Sequence, residues 1–220
     1  MKKRPYHLLL PTLSTTVLLS LTACSEAPED RTSETQQDFF QALASHCGQA
    51  FEGARVVART DREDMLQGDE ALVVYFAECS DKQIFAPFHI GPSQDETDWD
   101  RSRTWIYSAH ANRLELRHDH RLVDGSQDLS NTMYGGFTET AGRQQNGVHI
   151  QRFTFTERTG PQGEELGWQI EVEPGVRYTY GTYQGADWTW RVDFDLRQPV
   201  EAPPPAWGHE NGYIEATARY

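Results

Sequence analysis

Lysine is nearly missing from this chain of 220 residues: after Lys2 and Lys3 only Lys82 occurs, and with 33 Asp and Glu against 20 Lys and Arg the formal net charge is −13. Such a surface repels phosphate backbones and anionic head groups, which excludes nucleic acid as a partner and electrostatic docking on membranes. Cysteine is scarce too, with three residues and no Cys-x-x-Cys pair, so neither a thioredoxin-type redox motif nor a zinc ribbon is present. No glycine-rich phosphate loop occurs. Ser102 has no nucleophile-elbow context, which leaves a hydrolytic triad without support. No apolar run is long enough to span a membrane, and no internal repeat is visible.

The apolar run that does exist, Leu8 to Leu21, is interrupted by Pro11, Thr12, Ser14, Thr15 and Thr16, and it follows Lys2, Lys3 and Arg4. A basic start before a short apolar stretch is the pattern of a secretory signal. Leu21-Thr22-Ala23-Cys24 closes it and resembles the lipobox of bacterial lipoproteins. That resemblance implies cleavage before Cys24, acylation of its thiol and new amino group, and a mature chain held on a membrane by lipid. Several acyl chains at ~0.8 kcal/mol per buried CH₂ make such an anchor effectively permanent. Ser25 in the following position implies sorting to the outer membrane, facing the periplasm. Loss of residues 1–23 removes three positive charges and no acidic one.

With Cys24 committed to lipid, Cys47 and Cys79 remain as a pair in an oxidising compartment and are expected to form a disulfide. The bridge would close a loop of about 33 residues and stabilise by roughly 3 to 4 kcal/mol. Residues 24–37, rich in Glu, Asp, Ser, Thr and Gln, read as a tether. Residues 38–197 read as one β-rich domain, and residues 198–220, with Pro199 and Pro203-Pro204-Pro205, as an extended segment lying along it.

One helix opens the domain: Ser33 and Gln36 can form a capping box, Phe39, Phe40, Leu43 and Cys47 recur at helical spacing, and Gly48 suits a left-handed stop. Thereafter the period is two. Strands are predicted over 54–59, 71–78, 83–90, 103–110, 113–122, 133–138, 149–157, 168–173, 176–183 and 188–196, with turns at Glu173-Pro174-Gly175 and Gln184-Gly185-Ala186. Tyr134-Gly135-Gly136 is expected to be a bulge. Short strands with hairpin connections and no alternating helices define the fold class as mainly β: an antiparallel up-and-down barrel of calycin-like type, or a two-sheet sandwich, with one N-terminal helix.

The hairpin from Ser102 to Leu122 concentrates the side chains that can do chemistry. Alternation puts Leu114, Leu116, His118, His120 and Leu122 on one face and Arg113, Glu115, Arg117, Asp119 and Arg121 on the other, and the charged set is expected in water. With Ala111-Asn112 at the centre of an even turn, Ala109 faces Leu114, Tyr107 faces Leu116, Trp105 faces His118 and Arg103 faces His120. Trp105, Tyr107 and Ala109 are then inward, with Ile106 the one apolar residue on the outward set.

Three readings of this cluster stand side by side. Arg103, His118, His120 and Asp124 could hold the anionic head of a small amphipathic ligand while Trp105 and Tyr107 line the wall. His118 and His120 could instead bind a metal with a third ligand from His110, His149, His89, Asp124 or Asp128, giving a metal-dependent hydrolase, although Arg103 opposite His120 repels a divalent cation. Or the group could be a satisfied buried polar network in an envelope module that meets other proteins. Of the two functional readings the sequence favours ligand binding over a metal site, with no cofactor, metal or catalytic residue assigned and the protein partner open.

Several motifs are similar to those of a recurring family of bacterial secreted proteins and lipoproteins: Phe39-Phe40 with Cys47-Gly48 and Phe51, Ser102-Arg103-Thr104-Trp105, His118-Asp119-His120-Arg121 with Asp124-Gly125-Ser126, Tyr134-Gly135-Gly136, Phe194-Asp195-Leu196 with Pro199, and Trp207-Gly208. The similarity spans most of the chain after the signal. It implies one domain, points to the same hairpin and supplies no chemistry. In architecture the chain also resembles calycins and fatty-acid-binding barrels, without the lipocalin Gly-x-Trp motif.

Overall fold

A computed structural model describes residues 32–58, 66, 68, 70–92 and 98–213. The signal, Cys24 and the tether up to residue 31 lie outside the described residues, as do residues 214–220.

Helix α1, Glu34–Ala44, starts as its sequence requires: Ser33 Oγ accepts from Gln36 N and the Gln36 side chain accepts from Ser33 N. Ordered structure therefore includes Ser33, five residues ahead of the domain start at 38 that composition implies, because the cap draws polar residues into the first turn and buries Gln36. The helix stops at Ala44, ahead of Cys47, and Gly48 takes the expected left-handed conformation.

Twelve strands follow: β1 Ala50–Val57, β2 Leu72–Tyr75, β3 Glu78–Cys79, β4 Gln83–Ile90, β5 Asp100–Ala109, β6 Leu114–His120, β7 Tyr134–Phe137, β8 Arg143–Gln145, β9 Val148–Thr159, β10 Glu165–Glu173, β11 Arg177–Gln184 and β12 Asp187–Asp195. Hydrogen bonding runs β10-β11-β12-β1-β2-β4-β5-β6-β7-β9, and β9 pairs with β10, so ten antiparallel strands close into a barrel. Among the described residues, closure leaves no long strand edge unpaired. The short β3 and β8 attach to β4 and β9. β8 was not expected; it forms a two-residue hairpin with β9 through Asn146-Gly147, both at positive φ, the dipeptide that such turns favour.

Tyr134-Gly135-Gly136 is not a bulge. Its pairing with β6 runs without a register shift, from Glu115↔Phe137 to His118↔Tyr134. The glycines serve close approach: a Cβ on Gly135 would collide with the Leu116 carbonyl oxygen, and one on Gly136 with that of Thr154.

The barrel interior is filled by aromatic side chains, and α1 closes one end of it. Phe39 enters the core with its ring 6.5 Å from Tyr107 and 6.2 Å from Phe153, while Gln36 Nε2 donates to Thr138 Oγ1 at 2.7 Å beside the β5–β6 turn. On the far side of the helix, Cys47 and Cys79 form the expected disulfide, S–S 2.07 Å, tying the turn after α1 to β3. The opposite end, about 20 Å away at ~3.3 Å per strand residue, carries Arg103 and His120.

After β12 the chain crosses the outer face of β4, β5 and β6. Arg101 Nη1 donates to Pro205 O at 2.6 Å, Trp207 N to Arg101 O at 3.1 Å, and Tyr213 N to Glu78 Oε2 at 2.8 Å. Ala206 and Tyr213 pack on Phe85 and Ile106. Ile106, which breaks the polar pattern of its face, is apolar because this segment covers it.

Candidate functional site

The β5–β6 register is Arg103↔His120, Trp105↔His118, Tyr107↔Leu116 and Ala109↔Leu114. An even turn at Ala111-Asn112 sets it, with His110 N donating to Arg113 O at 3.0 Å. Trp105, Tyr107, Leu114 and Leu116 are buried in the core and His118 is buried with them. Leu122 does not continue the stripe: β6 ends at His120, alternation ends with it, and Leu122 is largely exposed.

His118 is 3% exposed and Trp105 2%. Their rings lie 4.4 Å apart, with Tyr134 5.0 Å and His120 5.3 Å from His118. Below them Trp168 is 4.9 Å and Tyr180 4.6 Å from Trp105. Both nitrogens of His118 and Nε1 of Trp105 are buried with no hydrogen-bond partner. An unpaired buried polar atom costs about 1–3 kcal/mol. Other buried polar atoms without a partner lie elsewhere, among them both nitrogens of His89 and Nδ1 of His149, but three on two rings in direct contact set this group apart.

Charges of both signs surround the pair. Burial first, then the charges of Arg103 and His120, hold His118 well below the usual imidazole range, with Arg158 adding to the effect. His120 is lowered by burial and by Arg103, against the carboxylate of Asp128 3.2 Å from its Nδ1. Arg103 is braced by Asp100, whose carboxyl burial raises and the guanidinium lowers, with a net shift downward. Arg158 stands 4.0 Å over the Tyr134 ring. A neutral His118 offers one donor and one acceptor, Trp105 offers a donor, and two guanidiniums lie at the rim.

Not every residue expected here is present. Tyr107 is nearer the helix, its hydroxyl 2.6 Å from that of Tyr178. Asp124 is exposed and outside the cluster; its carboxylate accepts from Ser126 N at 2.9 Å and Oγ at 2.6 Å, and Asp128 is the carboxylate beside His120. Asp100, Tyr134 and Arg158 were missed. Asp100 and Arg158 sit just beyond the predicted strand ends, and nothing local in the sequence joins β7 and β9 to the hairpin.

The alternative metal ligands are dispersed. His110 pairs with Glu115 at 2.8 Å, His149 lies beside Gln144, and His89 faces outward near Trp99. Among the described residues no three His, Cys, Asp or Glu side chains gather as a metal ion requires.

The outward face of β6 carries a second polar cluster, and here expectation and structure part. Asp119 and Arg121 are buried, not solvated, beneath the C-terminal segment. Asp119 accepts from Arg121 Nε at 3.0 Å, from Thr132 Oγ1 at 3.1 Å and from His209 Nε2 at 2.8 Å. Burial raises the Asp119 carboxyl and these bonds outweigh it, so the group is held below its ordinary range. With the Asp119 carboxylate bonded by three side chains, one of them from the segment, this cluster reads as a latch for the segment.

Compared with protein-family models, curated proteins and solved structures, the chain matches none.

Proposed function

We propose that this is a lipid-anchored protein of the bacterial cell envelope that binds a small anionic or amphipathic molecule at the mouth of its barrel, the end that carries Arg103 and His120. The observation that carries the reading is the set of three buried, unpartnered ring nitrogens on His118 and Trp105 beneath Arg103 and Arg158. An anionic head accepts from Trp105 Nε1 and from the protonated nitrogen of His118, satisfying two unmet donors, and also from Arg103. The rings of Trp168 and Tyr180 below limit the ligand to the mouth, so Tyr107 belongs to the floor of the barrel and not to the wall of the site. The signal and Leu21-Thr22-Ala23-Cys24 support the anchor and an outer-membrane location.

Native mass spectrometry of the mature chain, before and after organic extraction, tests the reading. An extractable acidic compound that is absent from an Arg103→Gln variant is the expected result. A bare polypeptide mass, with no uptake of short-chain carboxylates or phosphates at millimolar concentration, counts against it.

A further inference from the structure

The large apolar side chains that stand exposed are unevenly placed. Among the described residues Leu122, Val123, Leu129 and Met133 belong to the single loop between β6 and β7, and only Val56 and Val176 lie elsewhere. Leu129 is 85% and Val123 77% exposed. Singly exposed apolar residues need no explanation, but four in one loop do.

This loop is built onto the mouth. Asp128 N donates to His120 O at 2.9 Å, Met133 N to His118 O at 2.5 Å, and His120 N to Thr132 Oγ1 at 3.0 Å. Leu129 directly follows the carboxylate that lies beside His120, and Met133 directly precedes the tyrosine whose ring abuts His118. Asp124 and Asp128 cap Ser126 and Ser130, so local bonds hold the loop while its apolar side chains stay outward.

The interior below His118 and Trp105 is occupied by the rings of Trp168 and Tyr180, so a chain attached to a head group there has to leave outward over the rim. We infer that the β6–β7 loop is the second half of the site, receiving the hydrocarbon chain of a single-chain anionic amphiphile whose head lies between His118, Trp105 and Arg103. The inference rests on the mouth reading above. It differs from an interior lipid cavity in placing the tail on the outside of the barrel, against Leu129 and Met133.

The test uses residues 25–220, which contain every described element, titrated with octanoate and dodecanoate below their micellar concentrations and followed by tryptophan fluorescence. The four additional methylenes, partly covered by the loop, are expected to tighten binding about tenfold or more. In a Leu129→Ser, Met133→Ser variant that difference collapses to within about twofold, because dodecanoate loses more affinity than octanoate. Chain-length dependence that survives in the variant overturns the loop assignment and leaves the head site standing. Absence of binding by either acid to the wild type, with no response to octyl phosphate, overturns the mouth reading itself and this inference with it. Cosedimentation with phosphatidylcholine vesicles that the double variant abolishes, without binding of free acids, overturns the inference in favour of a loop that contacts membranes.

Discussion

His118 and Trp105 face each other across β5 and β6 with ring centroids 4.4 Å apart, and neither side chain has a hydrogen-bond partner for any of its ring nitrogens. A pair retained for stability alone would do better as two apolar rings, because replacing an unpaired polar group by an apolar one of similar shape is neutral or stabilising. His118→Leu is therefore expected to leave the ligand-free protein at least as stable in thermal unfolding, and to abolish uptake of anionic amphiphiles. A loss of more than about 2 kcal/mol would assign His118 to the fold instead.

The register that creates this pair is legible in the sequence. Alternation from Leu114 to His120 and the parity of a two-residue turn suffice, since a slip of one residue would send His118 and Trp105 to solvent. Helix α1 is legible for a similar reason, its capping box being local. Asp119 and Arg121 show the limit of such reasoning. Their alternation places them outside, which is correct, but outside is not solvent here, because a segment that includes His209, 90 positions after Asp119, returns to cover them. Phe85 and Ile106, apolar on outward faces, carry the local trace of that cover. The contributions of Tyr134 and Arg158 likewise depend on β7 and β9 closing the barrel, a relationship between distant strands that no local period encodes.

The latch on the outer face gives a second expectation. Asp119→Ala leaves the Arg121 guanidinium buried without its carboxylate and frees His209, and breaking a buried pair from one side costs about 3–5 kcal/mol. Urea unfolding should show a loss of that size, and limited proteolysis should cut between residues 198 and 213, where the wild type resists. His209→Ala should release the segment at a smaller cost in global stability, because Arg121 still pairs with Asp119. An unchanged unfolding midpoint and cleavage pattern in Asp119→Ala would show that the cluster does not hold the segment.

Acid should weaken the fold well above the carboxylate range. His46, His89, His118 and His120 are all lowered, chiefly by burial, and His89 is pulled down to about 4 with Arg101 contributing after burial. A histidine with a depressed folded value binds its proton more readily in the unfolded chain. Between the unfolded value of 6.5 and the folded value, each fall in pH therefore favours unfolding, and above 6.5 the difference vanishes. For His89 the window runs from 6.5 to about 4 and amounts to about 3 kcal/mol across its full width. Both ring nitrogens of His89 are buried and unpartnered, so His89→Leu should cost little at pH 7.5. Urea midpoints measured at pH 7.5 and pH 4.5 should diverge strongly in the wild type and by clearly less in His89→Leu. Equal losses in the two proteins would mean that His89 takes up its proton as easily in the folded chain as in the unfolded one.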